Sequence, residues 1–208
     1  MINAQRLAKS NKKISIEGSR VLLRPITSAL INEAYVGWLN DPCVNRYMAF
    51  ARNGVMQTEI MIYDYINSIR SNANREVFSI LLKKSKIHVG NIAISSSQDG
   101  IVTTGFLVGD PKVRGQGLGA EAVRIFVEYV FRADIAHTVH AAVHSENIKS
   151  WKMLDALGFQ KTHTVDVKNL DHEKQGHFDF KYDLTRQRWD EVKGEFYFVL
   201  KKTDDSSA

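Results

Sequence analysis

The stretch VGDPKVRGQGLGAEAVRIFVEYVF, residues 108–131, contains Gly115, Gly117 and Gly119 within five positions, directly after Arg114. The apolar residues that follow recur at helical spacing and predict an amphipathic helix that ends near Arg132. A helix N-terminus presents unpaired N–H groups and a positive dipole end, and glycines let a phosphate approach those groups closely. The stretch therefore predicts a loop that binds a phosphate-bearing ligand.

Two other interpretations of this glycine loop compete. A plain connecting turn does not need three glycines, because their flexibility costs backbone entropy on folding. The letters GQGLGA also satisfy the G-x-G-x-x-A pattern of dinucleotide-binding loops. That pattern requires a strand directly before the glycines and a series of βαβ units, whereas DPKVR intervenes here and the preceding strands predict a meander. A phosphate-binding loop is favoured, but the N–H donors and the helix dipole would suit any phosphate-bearing ligand equally well.

The segments on either side of the loop predict the rest of the fold. Before it, we expect a strand at 20–26, helices at 28–41 and 58–70, and an antiparallel meander of strands at 77–82, 87–95 and 101–109. After it, we expect a strand at 137–143, a helix from Asn147 to Gly158, and strands at 159–167, 177–184 and 195–200. The predicted fold class is α/β, with a mixed central sheet in which an antiparallel N-terminal meander precedes a strand–helix–strand crossover. In the helix at 58–70 the candidate core positions are Ile60, Met61, Tyr65 and Ile69.

The chain as a whole sets further bounds. Its 208 residues suit one domain, which we place at 16–202, between a flexible basic tail at 1–15 and a flexible tail at 203–208. The single cysteine, Cys43, excludes an intramolecular disulfide and a cysteine metal cluster, and we expect no metal. No apolar run approaches the roughly 18 residues of a membrane span, and the N-terminus does not resemble a signal peptide, so we expect a cytoplasmic protein without membrane contact. The net charge of +5 is dispersed, so we expect no nucleic-acid partner.

Five segments of the chain resemble one family. Arg114-x-x-Gly117-x-Gly119 resembles the acyl-CoA signature of the GNAT superfamily of N-acetyltransferases, and VRGQGLGAEAV resembles its ribosomal-protein N-terminal (RimJ/RimL-like) branch. VLLRPIT is similar to the opening strand of that branch, YVGWLNDPCVNRYM to its substrate-side helices, VHSENIKSWKMLDALGF to its second cofactor segment and GHFDFKYDLTRQRW to its closing strand. The resemblance implies a GNAT fold with a βαβ acyl-CoA-binding half.

The same resemblance implies an activity and its binding residues. The activity is direct transfer of an acetyl group from acetyl-CoA, as co-substrate, to a primary amine. The implied acyl-CoA site consists of Phe106, Leu107, Val108, Arg114, Gly115, Gln116, Gly117, Leu118, Gly119, Asn147 and Ser150. The implied acceptor site draws on Trp38, Asn40, Asp41, Asn45, Arg46 and Tyr47. For Asn147 a second interpretation stays open, because Asn is also a favoured helix N-cap.

Three positions that move protons in the family carry unsuitable residues here. They are the acid position and two base positions, occupied by Leu154, Ala142 and Thr103. Strand alternation instead puts His140 and His144 on the same face as Ala142. A histidine with an ordinary pKa of about 6.5 is a suitable base at neutral pH. We therefore predict His144, and after it His140, as the catalytic base, with Glu146 as a further candidate and a water-mediated route left open.

The sequence constrains the acceptor amine less than the acyl donor. A polyamine site needs a dense acidic lining, and residues 28–70 hold only Glu33, Asp41, Glu59 and Asp64. A peptide N-terminus and an amino sugar are the expected acceptors. The missing acid and base keep an alternative function open, namely a nonenzymatic acyl-CoA-binding or regulatory domain. We expect a monomer or a homodimer.

Overall fold

In a computed structural model, which describes residues 14–97, 99–166 and 178–202, the chain forms a nine-stranded sheet flanked by helices. The strands are β1 (Ile14–Glu17), β2 (Val21–Pro25), β3 (Arg75–Leu82), β4 (His88–Ser96), β5 (Ile101–Val108), β6 (Thr138–His144), β7 (Gln160–Asp166), β8 (Phe178–Thr185) and β9 (Val199–Lys202). The helices are α1 (Glu33–Asn40), α2 (Pro42–Asn45), α3 (Ala49–Arg52), α4 (Glu59–Arg70), α5 (Leu118–Arg132), α6 (Ile148–Ala156) and α7 (Arg186–Val192). Across the sheet the strands follow the order β7-β8-β6-β5-β4-β3-β2-β1-β9.

The predicted meander and crossover are both present. Strands β2 to β5 pair antiparallel in chain order, and β5 then pairs in parallel with β6, to which α5 connects it. Strand β8 inserts between β6 and β7 and is antiparallel to both. Within the described ranges β5 and β6 form the only parallel pair. The predicted α/β class with a mixed sheet is therefore confirmed.

Two apolar cores lie on the two faces of the sheet. Because strand side chains alternate, Phe78 and Ile80 of β3 belong to the core under α5, while Val77 belongs to the core under α1 and α4. Helix α5 is buried along most of its length and packs against β1, β2 and β5. Its buried Glu128 accepts a hydrogen bond from Trp189 Nε1 at 2.6 Å, which fastens α7 to the larger core.

The two ends of the sheet differ from the sequence-based predictions. Ile14 and Ser15, which we placed in a tail, are buried in β1, which pairs with β2 and β9. The last strand is Val199–Lys202 rather than 195–200, because its pairing with β1 starts at Val199. Strands of four residues are too short to show alternation clearly, which is why both boundaries were misplaced. Residues 1–13 and 203–208, predicted as tails, and positions 167 and 177 of two expected strands lie outside the described residues.

The helices on the second face also differ from expectation. The helix expected at 28–41 begins at Glu33, where the side chain of Asn32 accepts a hydrogen bond from the Tyr35 N–H as N-cap. In α4 the buried positions are Ile62, Ile66 and Ile69. Ile60, Met61 and Tyr65 are exposed, so Ile69 alone was predicted correctly. Each helical residue advances about 100° around the axis, and the predicted stripe was offset from the buried one by that rotation.

Candidate active site

A cleft opens where two neighbouring strands of the sheet separate. Strands β5 and β6 pair from Ile101 opposite Thr138 to Thr104 opposite Ala141. Beyond this point β5 stays paired with β4 and β6 stays paired with β8. The cavity at this separation has a volume of about 1150 Å³. Ordinary small-molecule pockets span roughly 300–1,000 Å³, so this cleft has room for two ligands.

The glycine loop forms one wall of the cleft. Gly115 and Gly117 adopt φ angles of +79° and +77°, in the left-handed region that favours glycine. Gly117 is the N-cap of α5, so the N–H groups of the next three residues have no acceptor within the helix. A Cβ on Gly119 would lie 3.2 Å from Val108 Cγ2, which shows how closely the helix approaches β5. The predicted loop and helix start are present, with a positive dipole end at the cleft, and phosphate binding there stays a prediction.

Arg20 and Glu121 hold this loop in place. Glu121, in the first turn of α5, accepts hydrogen bonds from Arg20 Nε at 2.8 Å and from the Arg20 backbone N–H at 2.7 Å. Arg20 Nη1 donates to the Gln116 carbonyl at 2.8 Å. The turn between β1 and β2 thus fixes the position of the loop. The residues in contact are about a hundred positions apart, and the sequence did not predict this contact.

Ten of the eleven predicted acyl-CoA residues line the cleft. They are Phe106, Leu107, Val108, Arg114, Gly115, Gly117, Leu118, Gly119, Asn147 and Ser150. Gln116 does not line it, contrary to the prediction. Its Nε2 donates to the Lys112 carbonyl at 2.9 Å, and its backbone N–H donates to the Val113 carbonyl at 3.4 Å. Gln116 therefore stabilises the loop from within, because both of its nitrogens bond to loop carbonyls.

Arg114 lines the cleft but is already paired. Its Nη2 lies 3.0 Å from Asp41 Oδ2, in an ion pair between half-buried side chains. The hydrogen bond from the Cys43 backbone N–H, and after it the one from Arg114, lowers the pKa of the Asp41 carboxyl below its usual value. The positive charge that the sequence places beside the loop is thus compensated by a carboxylate of the protein itself.

Asn147 and Ser150 line the cleft at the beginning of α6. Asn147 occupies the N-cap position, but its side chain makes no capping hydrogen bond. The Asn147 carbonyl accepts from the Ser150 N–H at 3.0 Å and from the Trp151 N–H at 3.2 Å, so the backbone alone starts the helix. Of the two interpretations of Asn147, side-chain capping is not realised, and contact with a ligand stays a prediction.

The predicted acceptor residues fall into two groups. Arg46 and Tyr47 line the cleft, with the Arg46 guanidinium carbon 4.6 Å from the centre of the Tyr47 ring. Trp38 and Asn40 do not. The Trp38 ring covers Gly109 and lies 5.0 Å from the His88 ring centre, and Asn40 exchanges two 2.8 Å hydrogen bonds with the Gln57 backbone.

Four of the six acceptor predictions therefore describe structural residues. Trp38 and Asn40 pack α1 against its neighbours. Asp41 caps α2 by accepting from the Cys43 N–H at 2.8 Å, and the buried Asn45 donates to the Leu39 carbonyl at 2.7 Å. Polar and aromatic residues cluster in this segment because its short helices require capping hydrogen bonds and side chains that shield them from solvent. The sequence alone does not distinguish these structural roles from ligand contact.

His144 lies in the cleft wall with Tyr47 and Glu146. The rings of His144 and Tyr47 stack with centres 5.0 Å apart and planes inclined by 27°. Tyr47 Oη donates to the Glu146 carbonyl at 2.9 Å. The Glu146 N–H donates to His144 Nδ1 at 3.3 Å, which places the proton of the neutral imidazole on Nε2. All three residues line the cleft and form one connected group.

His140 does not line the cleft, in contrast to the prediction. It lies opposite Thr103, where β5 and β6 are still paired, whereas Ala142 lies beyond the separation and lines the cleft. His140 Nδ1 contacts Asp183 Oδ1 of β8 at 2.6 Å. Alternation predicted the face of this side chain correctly relative to His144, but it does not predict at which residue two strands separate. The family's acid position, Leu154, is fully buried in the core.

Neither a metal site nor a membrane helix is found in the described ranges. His140 and His144 are four residues apart, but on a strand that spacing separates them by roughly 13 Å. Across 14–97, 99–166 and 178–202 no three His, Cys, Asp or Glu side chains come together as a metal site would require. In the same ranges every helix is too short or too polar to span a bilayer.

Several residues that line the cleft were not predicted. Most are apolar or aromatic: Tyr35, Leu39, Met48, Phe50, Ile62 and Tyr65. Asn91, in β4, is polar, buried and also lines the cleft. A signal for it exists in the sequence, because HVGNIAIS places one amide among mostly apolar residues.

Comparison with known proteins identifies the family. The acetyltransferase (GNAT) domain family matches residues 20–160. The chain belongs to this family. The resemblance seen in the sequence is thereby confirmed, and acetyl transfer is the activity that membership supports.

Three known proteins illustrate what this chain is similar to. An uncharacterized N-acetyltransferase, p20, of Bacillus licheniformis is 32% identical over 127 residues, which cover 59% of this chain and 69% of p20. An uncharacterized protein of Methanocaldococcus jannaschii is 25% identical over 153 residues, and the match covers 73% of this chain but only 30% of that longer protein. Mycobacterium smegmatis RimJ, solved in complex with CoA-disulfide, superposes with a TM-score of 0.70 at 16% identity, over 86% of this chain and 90% of RimJ, which shows a shared fold.

Proposed function

We propose that the protein is an acetyl-CoA-dependent N-acetyltransferase that acts on a primary amine by direct transfer. The observation that carries this proposal is the separation of β5 from β6, with the glycine loop on one wall of the resulting cleft and Arg46, Tyr47 and His144 on the other. A phosphate-binding loop and a second ligand wall meet in one cavity, as a two-substrate transfer without a covalent enzyme intermediate requires.

The residues present fit acetyl-CoA. The first turn of α5 supplies N–H donors for the pyrophosphate, and its glycines leave the space that a side chain would fill. Phe106, Leu107 and Val108 form the strand edge left open by the separation, where an extended pantetheine arm can bond to backbone groups. Acetyl-CoA would supply the acetyl group as a thioester. The amine nitrogen would attack the carbonyl carbon, the C–S bond would break, and CoA would leave as a thiolate that takes a proton from water.

The charges that line the cleft bear on the acceptor. Among the described lining residues, Glu146 is the one carboxylate, against the cations Arg46, Arg114 and Lys149. Such a lining does not suit a polyamine, which carries several positive charges. We therefore keep a peptide N-terminus or an amino sugar as the acceptor.

His144 is the residue we assign to proton transfer. A peptide α-amino group, with an ordinary pKa of about 7.7–8.0, is mostly protonated at pH 7 and must lose a proton before it attacks. In the neutral His144 ring the available lone pair is on Nδ1, which accepts the long 3.3 Å hydrogen bond from Glu146. The amine proton would replace that hydrogen bond at Nδ1, while Tyr47 holds the ring by stacking.

A thiol-release assay with an amine panel tests the function. Purified protein is mixed with acetyl-CoA and, in separate reactions, an alanine-initiated peptide, a nucleotide-linked amino sugar, a free amino sugar and spermidine. Thiol release with the peptide or a sugar, and N-acetylation seen by mass spectrometry, would support the proposal. Binding of acetyl-CoA by calorimetry without turnover of any amine would instead support a nonenzymatic acyl-CoA-binding domain.

A further inference from the structure

A β-bulge in β4 brings two polar side chains to the same face of the sheet. Ile80 of β3 pairs with Gly90, but its neighbour Leu81 pairs with His88, so Val89 is an extra residue in β4. Without it, His88 and Asn91, three residues apart, would point to opposite faces. With it, His88 Nε2 lies 3.0 Å from Asn91 Oδ1 and 2.9 Å from the Gly90 carbonyl.

The Gly90 carbonyl decides how this pair is oriented. A carbonyl oxygen only accepts hydrogen bonds, so His88 Nε2 must carry the proton that it shares with this carbonyl. The Asn91 atom that faces Nε2 is then the amide oxygen, and the Asn91 Nδ2 group is directed away from His88. Burial lowers the pKa of His88, and its ring packs against Tyr35 and Trp38, so the neutral ring with this proton position persists at neutral pH.

Asn91 thus presents a fixed donor at the cleft. The residue lines the cleft and is only 4% exposed. Its register partner Leu107 and its face neighbour Ala93 belong to the apolar core under α1 and α4. Its Nδ2 atom is buried and has no hydrogen-bond acceptor among the described residues. Buried amide nitrogens are almost always bonded, so this donor matches an acceptor oxygen that arrives with a ligand.

We propose that Asn91 is a specificity-determining residue, which donates a hydrogen bond from Nδ2 to an uncharged oxygen of the amine substrate. This rests on the proposed acetyltransferase function and narrows its acceptor class. The substrate carries a carbonyl or hydroxyl oxygen close to the amine, as a peptide N-terminus and an amino sugar both do. The Asn91 Nδ2 group donates hydrogen bonds and cannot accept one from a second ammonium group. Polyamines and simple alkylamines therefore lack the acceptor oxygen that this site requires.

Matched pairs of amines test the proposal. Alaninamide is compared with sec-butylamine, and glucosamine with cyclohexylamine, each at equal concentration of the unprotonated amine. The wild-type protein should prefer the oxygen-bearing member of at least one pair. Asn91→Asp keeps the shape but removes the donor, and should lower kcat/KM for that member about 100-fold. The kcat/KM for the oxygen-free member and the KM for acetyl-CoA should each change less than about threefold, because neither compound uses the Asn91 donor.

The control and the second readout separate this role from folding and from turnover. Asn67→Asp, at an exposed position of α4, controls for an added carboxylate and should leave all four amines unaffected. Asn91→Leu, which has a similar size and no donor, replaces Asn91→Asp if the latter does not fold. The Asn91 side-chain amide signal, assigned by its loss in the variant, should shift in ¹⁵N-edited NMR when alaninamide or glucosamine is added with CoA, and not with the oxygen-free amines.

The outcomes are distinguishable. Equal losses for both members of each pair, or an NMR signal that responds to none of the oxygen-bearing amines, would show that Asn91 is structural and overturn the proposal. If no amine releases thiol, the acetyltransferase function fails, and the NMR titration still decides whether Asn91 binds an oxygen-bearing amine.

Discussion

Arg114 Nη2 lies 3.0 Å from Asp41 Oδ2, and this ion pair joins the glycine loop to the segment that contributes Arg46 and Tyr47 to the cleft. Replacing Asp41 by Asn removes the negative charge but keeps a side chain that can cap α2. The charge of Arg114 is then uncompensated beside the loop. We expect acetyl-CoA to bind about threefold more tightly at low salt, and the gain to disappear at about 0.5 M salt, where screening is strong. Calorimetry at two salt concentrations measures this, and weaker binding at low salt would show that Asp41 chiefly positions Arg114.

The glycine loop predicts a second result. Gly117→Val places a side chain among the N–H groups of the first turn of α5, at a backbone φ of +77° that disfavours it. Acetyl-CoA affinity should fall by at least about 100-fold while the fold persists. Gly194→Val is the matched control, because Gly194 has a φ of +57° but does not line the cleft. Similar affinity losses in both variants would point to backbone strain rather than to the phosphate site.

A third prediction concerns His144. His144→Ala should lower the turnover rate about 100-fold at neutral pH, with acetyl-CoA binding nearly unchanged, because the amine loses its proton acceptor. The deficit should shrink as pH rises and more amine is unprotonated. His140→Ala is the control, since His140 bonds to Asp183 outside the cleft and should retain near-normal turnover. Full activity of His144→Ala with a saturating acceptor would leave the water-mediated route.

His88 makes stability depend on pH. Burial lowers its pKa below the ordinary value of about 6.5, so the unfolded chain binds this proton more readily than the folded chain. The neutral His88 ring therefore contributes stability that is fully present above about pH 6.5, the pKa in the unfolded chain. This contribution is lost as pH falls from there toward the lowered pKa of the folded protein. His88→Gln keeps a donor without a titrating ring. Between about pH 7 and pH 5 its free energy of unfolding, measured in urea, should fall less than that of the wild type. Parallel pH profiles would contradict this explanation.

A second stability determinant is Glu128. Its buried carboxylate accepts from Trp189 Nε1, and Arg132 Nε pairs with its other oxygen. Glu128→Ala would leave a buried indole N–H without an acceptor and should lower the free energy of unfolding by about 2–3 kcal/mol. Glu128→Gln keeps an acceptor for Trp189 and should cost about half as much. Urea denaturation measures both, and equal losses would assign the effect to the charge rather than to the Trp189 hydrogen bond.

The predictions from sequence succeeded where the signal is local. Three glycines before a periodic helix predicted both α5 and its loop, because backbone conformation and dipole depend on neighbouring residues only. Strand alternation put His144 in the cleft but could not exclude His140, since the residue at which β5 and β6 separate depends on β4 and β8. Trp38 and Asn40 were assigned to the acceptor site by resemblance to the family, and the sequence does not show which partners these helix residues contact. The His88–Asn91 pair requires the bulge at Val89, an extra residue in β4 that the residue types around it do not predict.

The separation of β5 from β6 has a consequence for how ligands enter. Each strand keeps its full set of bonds to its outer neighbour, β4 or β8, so the gap is maintained by the sheet itself. An acyl donor therefore does not have to separate two paired strands when it binds. The free-energy cost of keeping β5 and β6 apart is part of the folding free energy and does not reduce the binding affinity. Binding to such a preorganised slot is expected to be fast and to leave the backbone nearly unchanged. Amide exchange in β4 and β8 should then be as slow in the free protein as in the complex.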